Sequence, residues 1–492
     1  MKKILALLAV VVVVLAAVMV VRAARLPSMQ DPAPSRVGPI AVDTAAAAEH
    51  LGSAVRFRTV SYDNGVNTDT AAFRALQAFF DSTYPLVGQH LEKELVSNLS
   101  LLYTWKGTDP GLPPIVLMGH QDVVPVIPGT EGDWTHGPFS GEVADGSIWG
   151  RGSMDDKVSV ISVLEAVEAL LADGYQPQHT VYLAFGHDEE IGGLHGAREI
   201  ARTLQDRGVG PFDFVLDEGG AVAKGLVPGV EGAVALVGIA EKGYVNLELR
   251  VDGPGGHSST PPPHTNIGIL ADAIDELEEH PFPAHFEGPG RALFDYLAPE
   301  MSFVPRLALA NLWLTRPLVE HMMLGNAESA AMLRTTTAAT IIEGGVKANV
   351  LPITARAIVN FRILPGETPE SVLDRVRSVI GDDRVKVSIS GSDSVAPSPV
   401  SDPGGPAFKM LAGTIRQVMP DEDVKVAPYL VMGGTDSKYY AGRSNAVFRF
   451  LAAPIGAEGL ELVHGTNEHM SVTGLATSIA FYQQLIRNAD GG

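Results

Sequence analysis

The stretch Val181-Tyr182-Leu183-Ala184-Phe185-Gly186-His187-Asp188-Glu189-Glu190-Ile191-Gly192-Gly193 sets a short apolar run directly against two adjacent acids and a glycine pair. An apolar run of this length reads as a buried strand, and the glycines mark where the chain must turn. Two acids in sequence also suit a solvated turn, so the layout needs a second instance. Phe214-Val215-Leu216 leads into Asp217-Glu218-Gly219-Gly220 in the same way, and the strand-like run Ile115 to Met118 leads into His120-Gln121-Asp122. Repetition of strand, acid or histidine and glycine is hard to explain by surface solvation. In open α/β sheets the ligand site lies outside the strand ends, which is where these residues fall.

Working outward, strands and helices alternate. Val158 to Leu171 carries apolar residues at helical spacing up to Gly174, Thr180 to Phe185 reads as a strand, and Phe212 to Leu216 reads as another. The expected fold class is α/β, a sheet with helices on its faces. After Glu241 the pattern changes. Tyr244 to Val251 alternates, Thr265 to Leu277 is helical, Thr335 to Ile342 and Ala355 to Ile363 read as strands, Pro369 to Ile380 is helical and Val385 to Ile389 is a strand. That order, β-α-β-β-α-β, is a ferredoxin-like module, with 281–334 as a largely helical insertion. From about Pro397 the α/β character returns and ends in a helix, Val472 to Ile486. The expected domains are a hydrophobic leader (1–25), a linker (26–39), a catalytic part (40–243), an inserted lid or dimerisation domain (244–392) and a second catalytic part (393–492).

Composition excludes several classes of function. A net charge of -21 leaves no cationic surplus to neutralise phosphates, which argues against nucleic acid or anionic lipid as main partner. The chain has no cysteine, so any zinc must be held by His, Asp and Glu, and disulfides play no part. At the N-terminus, Lys2 and Lys3 precede an uncharged apolar run from Ile4 to Val21, closed by Arg22 and Arg25. This is a targeting segment of about bilayer length. It lacks a clean small-x-small cleavage pattern, so an uncleaved anchor is the reading taken, with a cleaved signal peptide as the alternative. Either places the globular part outside the cytoplasm. Membrane contact is expected through this segment only.

The chemistry-bearing residues each carry a plain and a functional reading. Residues two apart on an extended segment point the same way, so His120 can bind a metal while Asp122 orients it; HxD also suits a turn after a strand. Asp155 and Asp156 follow Gly150-Arg151-Gly152 where a helix begins, a place for an N-cap or for a carboxylate that bridges two cations. Adjacent side chains of an extended segment diverge, so one of Glu189 and Glu190 can bind metal while the other handles protons. With His464, these groups suit a pair of borderline divalent cations, zinc above all, with cobalt or manganese as alternatives.

The segments His120-Gln121-Asp122-Val123-Val124-Pro125, Gly150-Arg151-Gly152-Ser153-Met154-Asp155-Asp156-Lys157, His187-Asp188-Glu189-Glu190, Leu216-Asp217-Glu218-Gly219-Gly220, Gly256-His257-Ser258-Ser259 and His464-Gly465-Thr466-Asn467-Glu468 resemble, in order, the zinc-dependent metallopeptidase family of aminoacylase-1 and carboxypeptidase S. Arg334-Thr335-Thr336-Thr337, Gly345-Val346-Lys347-Ala348-Asn349-Val350 and Gly434-Thr435-Asp436-Ser437 extend the resemblance to the branch of carboxypeptidase S and the N-fatty-acyl-amino acid synthase/hydrolases. The resemblance implies a di-zinc exopeptidase-type α/β domain with an inserted lid. It implies two Zn²⁺, with His120 and Glu190 as terminal ligands, Asp155 bridging, and Asp217 and His464 as the remaining ligands, Glu218 being the alternative to Asp217. Glu189 is implied as general base, taking a proton from the attacking water and passing it to the leaving amine, with Asp122 steering His120. His257 is implied as the oxyanion donor, offered from a neighbouring subunit, which makes a homodimer the expectation; alone, a His in a glycine-rich loop reads as structural or exposed. Asn349, Arg362, Gly434 and Thr435 are expected to hold a substrate carboxylate, although Arg362 also fits a strand residue paired with a surface acid.

The expected function is hydrolysis of an amide next to a free carboxylate, on N-acyl amino acids with apolar acyl chains and in principle reversible. A carboxypeptidase or dipeptidase acting on short peptides is the same-class alternative, and a metal-dependent binding protein without turnover is the different-class one. Retention of Glu189 weighs against the last, since binding alone needs no base.

Overall fold

A computed structural model describes residues 1–32, 34, 42–62, 68–391, 394–420, 422–456 and 459–491. Most of the expected linker beyond residue 32, and residues 392 and 393 at the expected domain boundary, lie outside the described residues.

The centre of the chain is a ten-stranded sheet. Its order is Glu92–Val96, Ser100–Trp105, Val181–Gly186, Ile115–His120, Val215–Asp217, Val447–Arg449, Ala233–Glu241, Val222–Lys224 and Pro454–Ile455, with Lys425–Val431 paired to Ala233–Glu241. The middle strands run parallel: Ile115–His120 lies between Val181–Gly186 and Val215–Asp217, and Val447–Arg449 continues the set. Strands covered on both faces read as continuous apolar runs rather than alternations, and every residue of Ile115–His120 is buried. One face is covered by Thr44–Arg56, Lys157–Ala172, Pro406–Val418 and Val472–Ala489, whose apolar residues form the main core. Ala197–Asp206 covers the other face through Ala197, Ile200, Ala201 and Leu204. Parallel strands bring their carboxyl ends to one edge, and His120, Glu189, Glu190 and Asp217 all stand at or just beyond such ends.

After Glu241 the chain builds a second sheet. Gly243–Asp252, Asn266–Glu279, Thr336–Gly344, Thr354–Ile363, Pro369–Ile380 and Val385–Ile389 form an antiparallel four-stranded sheet with two helices, and Thr354–Ile363 and Gly243–Asp252 are its central strands. Val245, Leu247, Leu249 and Val251 point to one face at period two and pack under both helices with Ala357, Val359 and Phe361. Thr368 and Ser371 close a reciprocal capping box on the second helix, and Gly381 ends it in the left-handed region.

Two expectations are corrected here. The 281–334 segment is helical, as Gly288–Leu297, Phe303–Leu309, Leu312–Leu324 and Ala327–Leu333, yet it packs on the catalytic domain. Leu293, Tyr296, Leu297 and Met301 belong to the main core, and Tyr296 meets Phe408 edge-on. The reason is the strand Lys425–Val431, which among the described residues pairs only with Ala233–Glu241 and would otherwise offer an open edge. The described part of the linker serves the same edge. The Gln30 amide accepts from the Val426 N–H (2.9 Å) and donates to the Val426 carbonyl (3.0 Å), while Arg416 donates to its oxygen (2.6 Å).

Candidate metal centre

The strand Ile115–His120 ends on His120, whose ring is buried and held from behind. Its Nδ1 lies 3.0 Å from the Asp122 carbonyl and 3.4 Å from the Asp122 carboxylate, which fixes the ring and leaves Nε2 free to face the cleft. The Asp122 carboxylate also accepts the N–H groups of Glu189 and Glu190 (both 3.2 Å) and the Ser61 hydroxyl (2.7 Å). Burial works to raise its pKa, but the bonds to His120 and Ser61 outweigh this and hold it below the ordinary carboxylate range. One buried anion thus orients an imidazole and the acid pair together.

Those two acids open a 3-10 turn, Glu189–Ile191, rather than an extended segment. Gly192 and Gly193 follow with φ of 102° and 70°, and a Cβ on Gly193 would stand 2.0 Å from Asp436 Oδ1. Glycine is needed there both for the turn and for the approach of that acid.

The separations around Asp155 decide what the cluster can hold. Asp155 Oδ1 lies 3.0 Å from His120 Nε2, which in turn lies 3.7 Å from Glu218 Oε1. Asp155 Oδ2 lies 3.0 Å from His464 Nε2, which lies 3.2 Å from Glu190 Oε2. Each oxygen of one carboxylate therefore faces its own imidazole, and each imidazole has a further acid beside it. Tetrahedral ligands about 2.0–2.2 Å from a common ion stand roughly 3.3 Å from one another, and among the described residues the sets whose ligand atoms all lie within 4.8 Å of one another are His120, Asp155 and Glu190, and His120, Asp156 and Glu218. Asp156 of the second set is joined to Asp155 by a cis peptide bond. Glu190 Oε1 is buried with no hydrogen-bond partner among the described residues, which suits an atom that awaits a cation. The residues present therefore fit a bound divalent cation.

Asp217 is the sequence-expected ligand that the geometry moves aside. As the last residue of its strand it turns its carboxylate inward, accepting from the backbone N–H of Ser437 (2.7 Å) and of Glu218 (3.0 Å). Glu218, one residue on, is the acid that reaches the cluster. Thr435 is likewise occupied, its N–H (2.8 Å) and hydroxyl (3.1 Å) both donating to the buried Glu241. It has no free N–H for a substrate carboxylate, whereas Gly434 beside it is exposed. His257 and Asn349 lie together on an exposed two-stranded antiparallel ribbon, Gly256–His257 against Val350–Leu351, with the Ser258 N–H donating to the Asn349 carbonyl (3.2 Å). His257 Nδ1 meets the Ser259 hydroxyl at 2.8 Å, so within one chain it is not part of the acid cluster. Arg362 stacks on Tyr244, its guanidinium carbon 4.9 Å from the ring centre, and has no acid partner of its own among the described residues.

Two residues at the site were not singled out from the sequence. Glu468 is fully buried and accepts from the Arg151 guanidinium (2.6 Å) and from the N–H groups of Gly152 (2.9 Å), Met154 (2.9 Å) and Asp155 (3.1 Å), so it shapes the loop that carries Asp155. Burial pushes its pKa up to about 7 against the pull of Arg151. Glu468→Ala leaves Arg151 buried and unpaired, and is expected to destabilise the chain by about 3–5 kcal/mol. Urea unfolding measures it, and a loss below about 1 kcal/mol would mean that the pair behaves as a surface bridge. Asp436 is buried beneath Gly193 with neither oxygen hydrogen-bonded among the described residues, and burial drives its pKa well up. The signal for it was available: Gly433-Gly434-Thr435-Asp436 repeats the layout of strand, glycine and acid after Lys425–Val431.

Burial, more than any single neighbour, also pushes the carboxyls of Glu189, Glu218 and Asp156 well above their usual range. After chelation the folded chain would hold protons that the unfolded chain releases, so its stability is expected to fall as pH rises through and beyond the ordinary carboxylate range. Added zinc should raise the melting temperature more at about pH 8 than at about pH 5. A flat profile for the chelated protein in thermal unfolding would count against a cluster of mutually repelling acids.

An α/β sheet with a buried, acid-rich cluster at its strand ends has the arrangement of a metal-dependent hydrolase. The chain belongs to peptidase family M20/M25/M40, whose model matches residues 116–488. It is 41% identical over 446 residues to the probable carboxypeptidase S-like 2 of Dictyostelium discoideum, an alignment covering 90% of this chain and 85% of that one. It is 38% identical over 445 residues to the N-fatty-acyl-amino acid synthase/hydrolase of Mus musculus, covering 90% and 87%. The M20 family metallo-carboxypeptidase Sso-CP2 from Sulfolobus solfataricus shares the fold with a TM-score of 0.66 at 18% identity, covering 92% of this chain and 100% of that one. These relatives place the chain in the branch of carboxypeptidase S and the fatty-acyl-amino acid enzymes.

Proposed function

We propose that this chain hydrolyses N-acyl amino acids with apolar acyl chains, using two zinc ions, one at His120, Asp155 and Glu218 and the other at Asp155, Glu190 and His464. The observation that carries the di-metal reading is the division of the Asp155 oxygens between two imidazole–acid pairs. The ions would polarise the amide carbonyl and supply a reactive water. Glu189, its backbone fixed by Asp122, would take a proton from the attacking water as the water oxygen adds to the carbonyl carbon. When the C–N bond breaks, the same proton passes to the amine, leaving a carboxylic acid and a free amino acid. The reverse condensation shares this transition state.

His257 and Asn349 sit on a two-stranded ribbon exposed in the single chain, which supports their use across a dimer, His257 toward the oxyanion and Asn349, with Arg362 and the Gly434 backbone, toward the substrate carboxylate. The leader would hold the enzyme on a membrane with its catalytic domain outside the cytoplasm, or be removed on secretion. Support for a fatty-acyl substrate comes from the 38% identity to an N-fatty-acyl-amino acid synthase/hydrolase. The second reading, release of C-terminal residues from short peptides, is favoured by the 41% identity to a carboxypeptidase S-like protein.

A panel pairing N-acetyl, N-oleoyl and dipeptide amides with Phe or Leu separates the readings, measured before and after chelation and zinc restoration. Zinc-restored cleavage led by the oleoyl conjugate is the expected result. Preference for the dipeptides would assign the enzyme to the peptidases.

A further inference from the structure

The first helix, Lys2–Ala24, has no buried residue along its apolar window among the described residues. At about 1.5 Å per residue its 23 residues run roughly 35 Å, enough to cross a bilayer core of about 30 Å. Its far end is not free. Arg22 donates through Nε to the Ala310 carbonyl (3.2 Å), and the Asn311 amide donates to the Met19 carbonyl (3.1 Å). Asn311 is fully buried and also accepts from the Trp313 indole N–H (3.3 Å). The foot of the helix is therefore bolted to the junction of Phe303–Leu309 and Leu312–Leu324, within about one helical turn of its end.

Those two helices expose Phe303, Val304, Trp313, Leu314, Leu318 and Met322 to a degree unusual for large apolar side chains, Val304 at 74% and Met322 at 68%. Leu314, Leu318 and Met322 recur every four residues and so share one face. Apolar groups gathered in this way mark an interaction surface rather than chance exposure. The occupant follows from position. A helix that enters a bilayer at Ala24 brings Ala310, Asn311 and Trp313 to headgroup depth, where tryptophan is favoured.

We infer that the helices Phe303–Leu309 and Leu312–Leu324 lie in the surface of the bilayer that the N-terminal helix spans, with these six side chains among the lipids. The inference rests on reading Lys2–Ala24 as an uncleaved anchor, and is independent of the substrate. The insertion thereby gains a role beyond covering a sheet edge: it sets the catalytic domain down on the membrane at a fixed orientation.

The test uses the full chain reconstituted into phosphatidylcholine vesicles whose lipids are brominated near the top of the acyl chain, a contact quencher of indole. Flotation reports the anchor, and the difference in emission between the chain and its Trp313→Phe variant isolates Trp313 from the other three of its four tryptophans. Quenching of about half the Trp313 emission or more is expected, since interfacial helices bury their apolar face about 5–10 Å into the headgroup and acyl boundary. A Leu314→Glu/Leu318→Glu/Met322→Glu variant, altered only at exposed positions, should float equally and lose most of that quenching. A chain that floats with Trp313 unquenched overturns the inference and leaves the anchor standing; a self-association of vesicle-free protein abolished by the triple variant would then identify a second copy as the occupant. A chain that does not float overturns the anchor and the surface together.

Discussion

Replacing Glu189 with glutamine is expected to lower kcat by about 10²–10⁴-fold while the bound metal stays at its original level. The substitution keeps the shape of the side chain and removes only its capacity to take a proton. Glu189 is suited to that task by its surroundings. Burial raises its pKa against the pull of His120, and the charges of Asp436 and Glu190 add to the rise. Its backbone N–H and that of Glu190 are held by the two oxygens of Asp122, so the acid that would bind metal and the acid that would move protons are positioned by one group. Metal analysis and turnover should therefore separate in Glu189→Gln. If metal is lost along with activity, Glu189 is a ligand and the division of labour between the two glutamates is wrong.

Much of this site was legible because its parts announce themselves locally. An apolar run that stops at glycine and acid marks the end of a buried strand whatever the rest of the chain does, and His120, Asp122, Glu189 and Glu190 follow such runs, while Asp155 stands after Gly150-Arg151-Gly152 where a helix begins. What was not legible depends on partners remote in sequence. At Asp217-Glu218 the strand ends, and which of two neighbouring acids turns outward is settled by Ser437, whose N–H claims Asp217 from 220 residues away. Thr435 looked available for a substrate because its partner, Glu241, lies 194 residues earlier. The 281–334 segment shows a similar limit. Its helices could be read from composition, but their destination was set by the exposed edge of Lys425–Val431, and strand edges are properties of a sheet rather than of a segment. Glu468 was quoted in the sequence without a role because its partners, the loop from Arg151 to Asp155, become its neighbours only in the fold.

The sharpest test of the metal geometry lies at Asp155, where the loss should be complete. Asp155→Ala removes an oxygen from both trios at once, so the expected outcome is loss of both ions and of all measurable turnover. Glu218→Gln touches only the trio of His120 and should cost one ion. Asp217→Asn leaves the cluster intact but weakens the bonds that its carboxylate accepts from Ser437 and Glu218, so it should keep both ions and lower the melting temperature instead. Metal content per chain by mass spectrometry, beside thermal unfolding of each variant, distinguishes these outcomes. Loss of an ion in Asp217→Asn with full occupancy in Glu218→Gln would reverse the assignment of the two acids. Retention of one ion in Asp155→Ala would show that its two oxygens do not join the trios, and the case for paired ions would then have to rest on other residues.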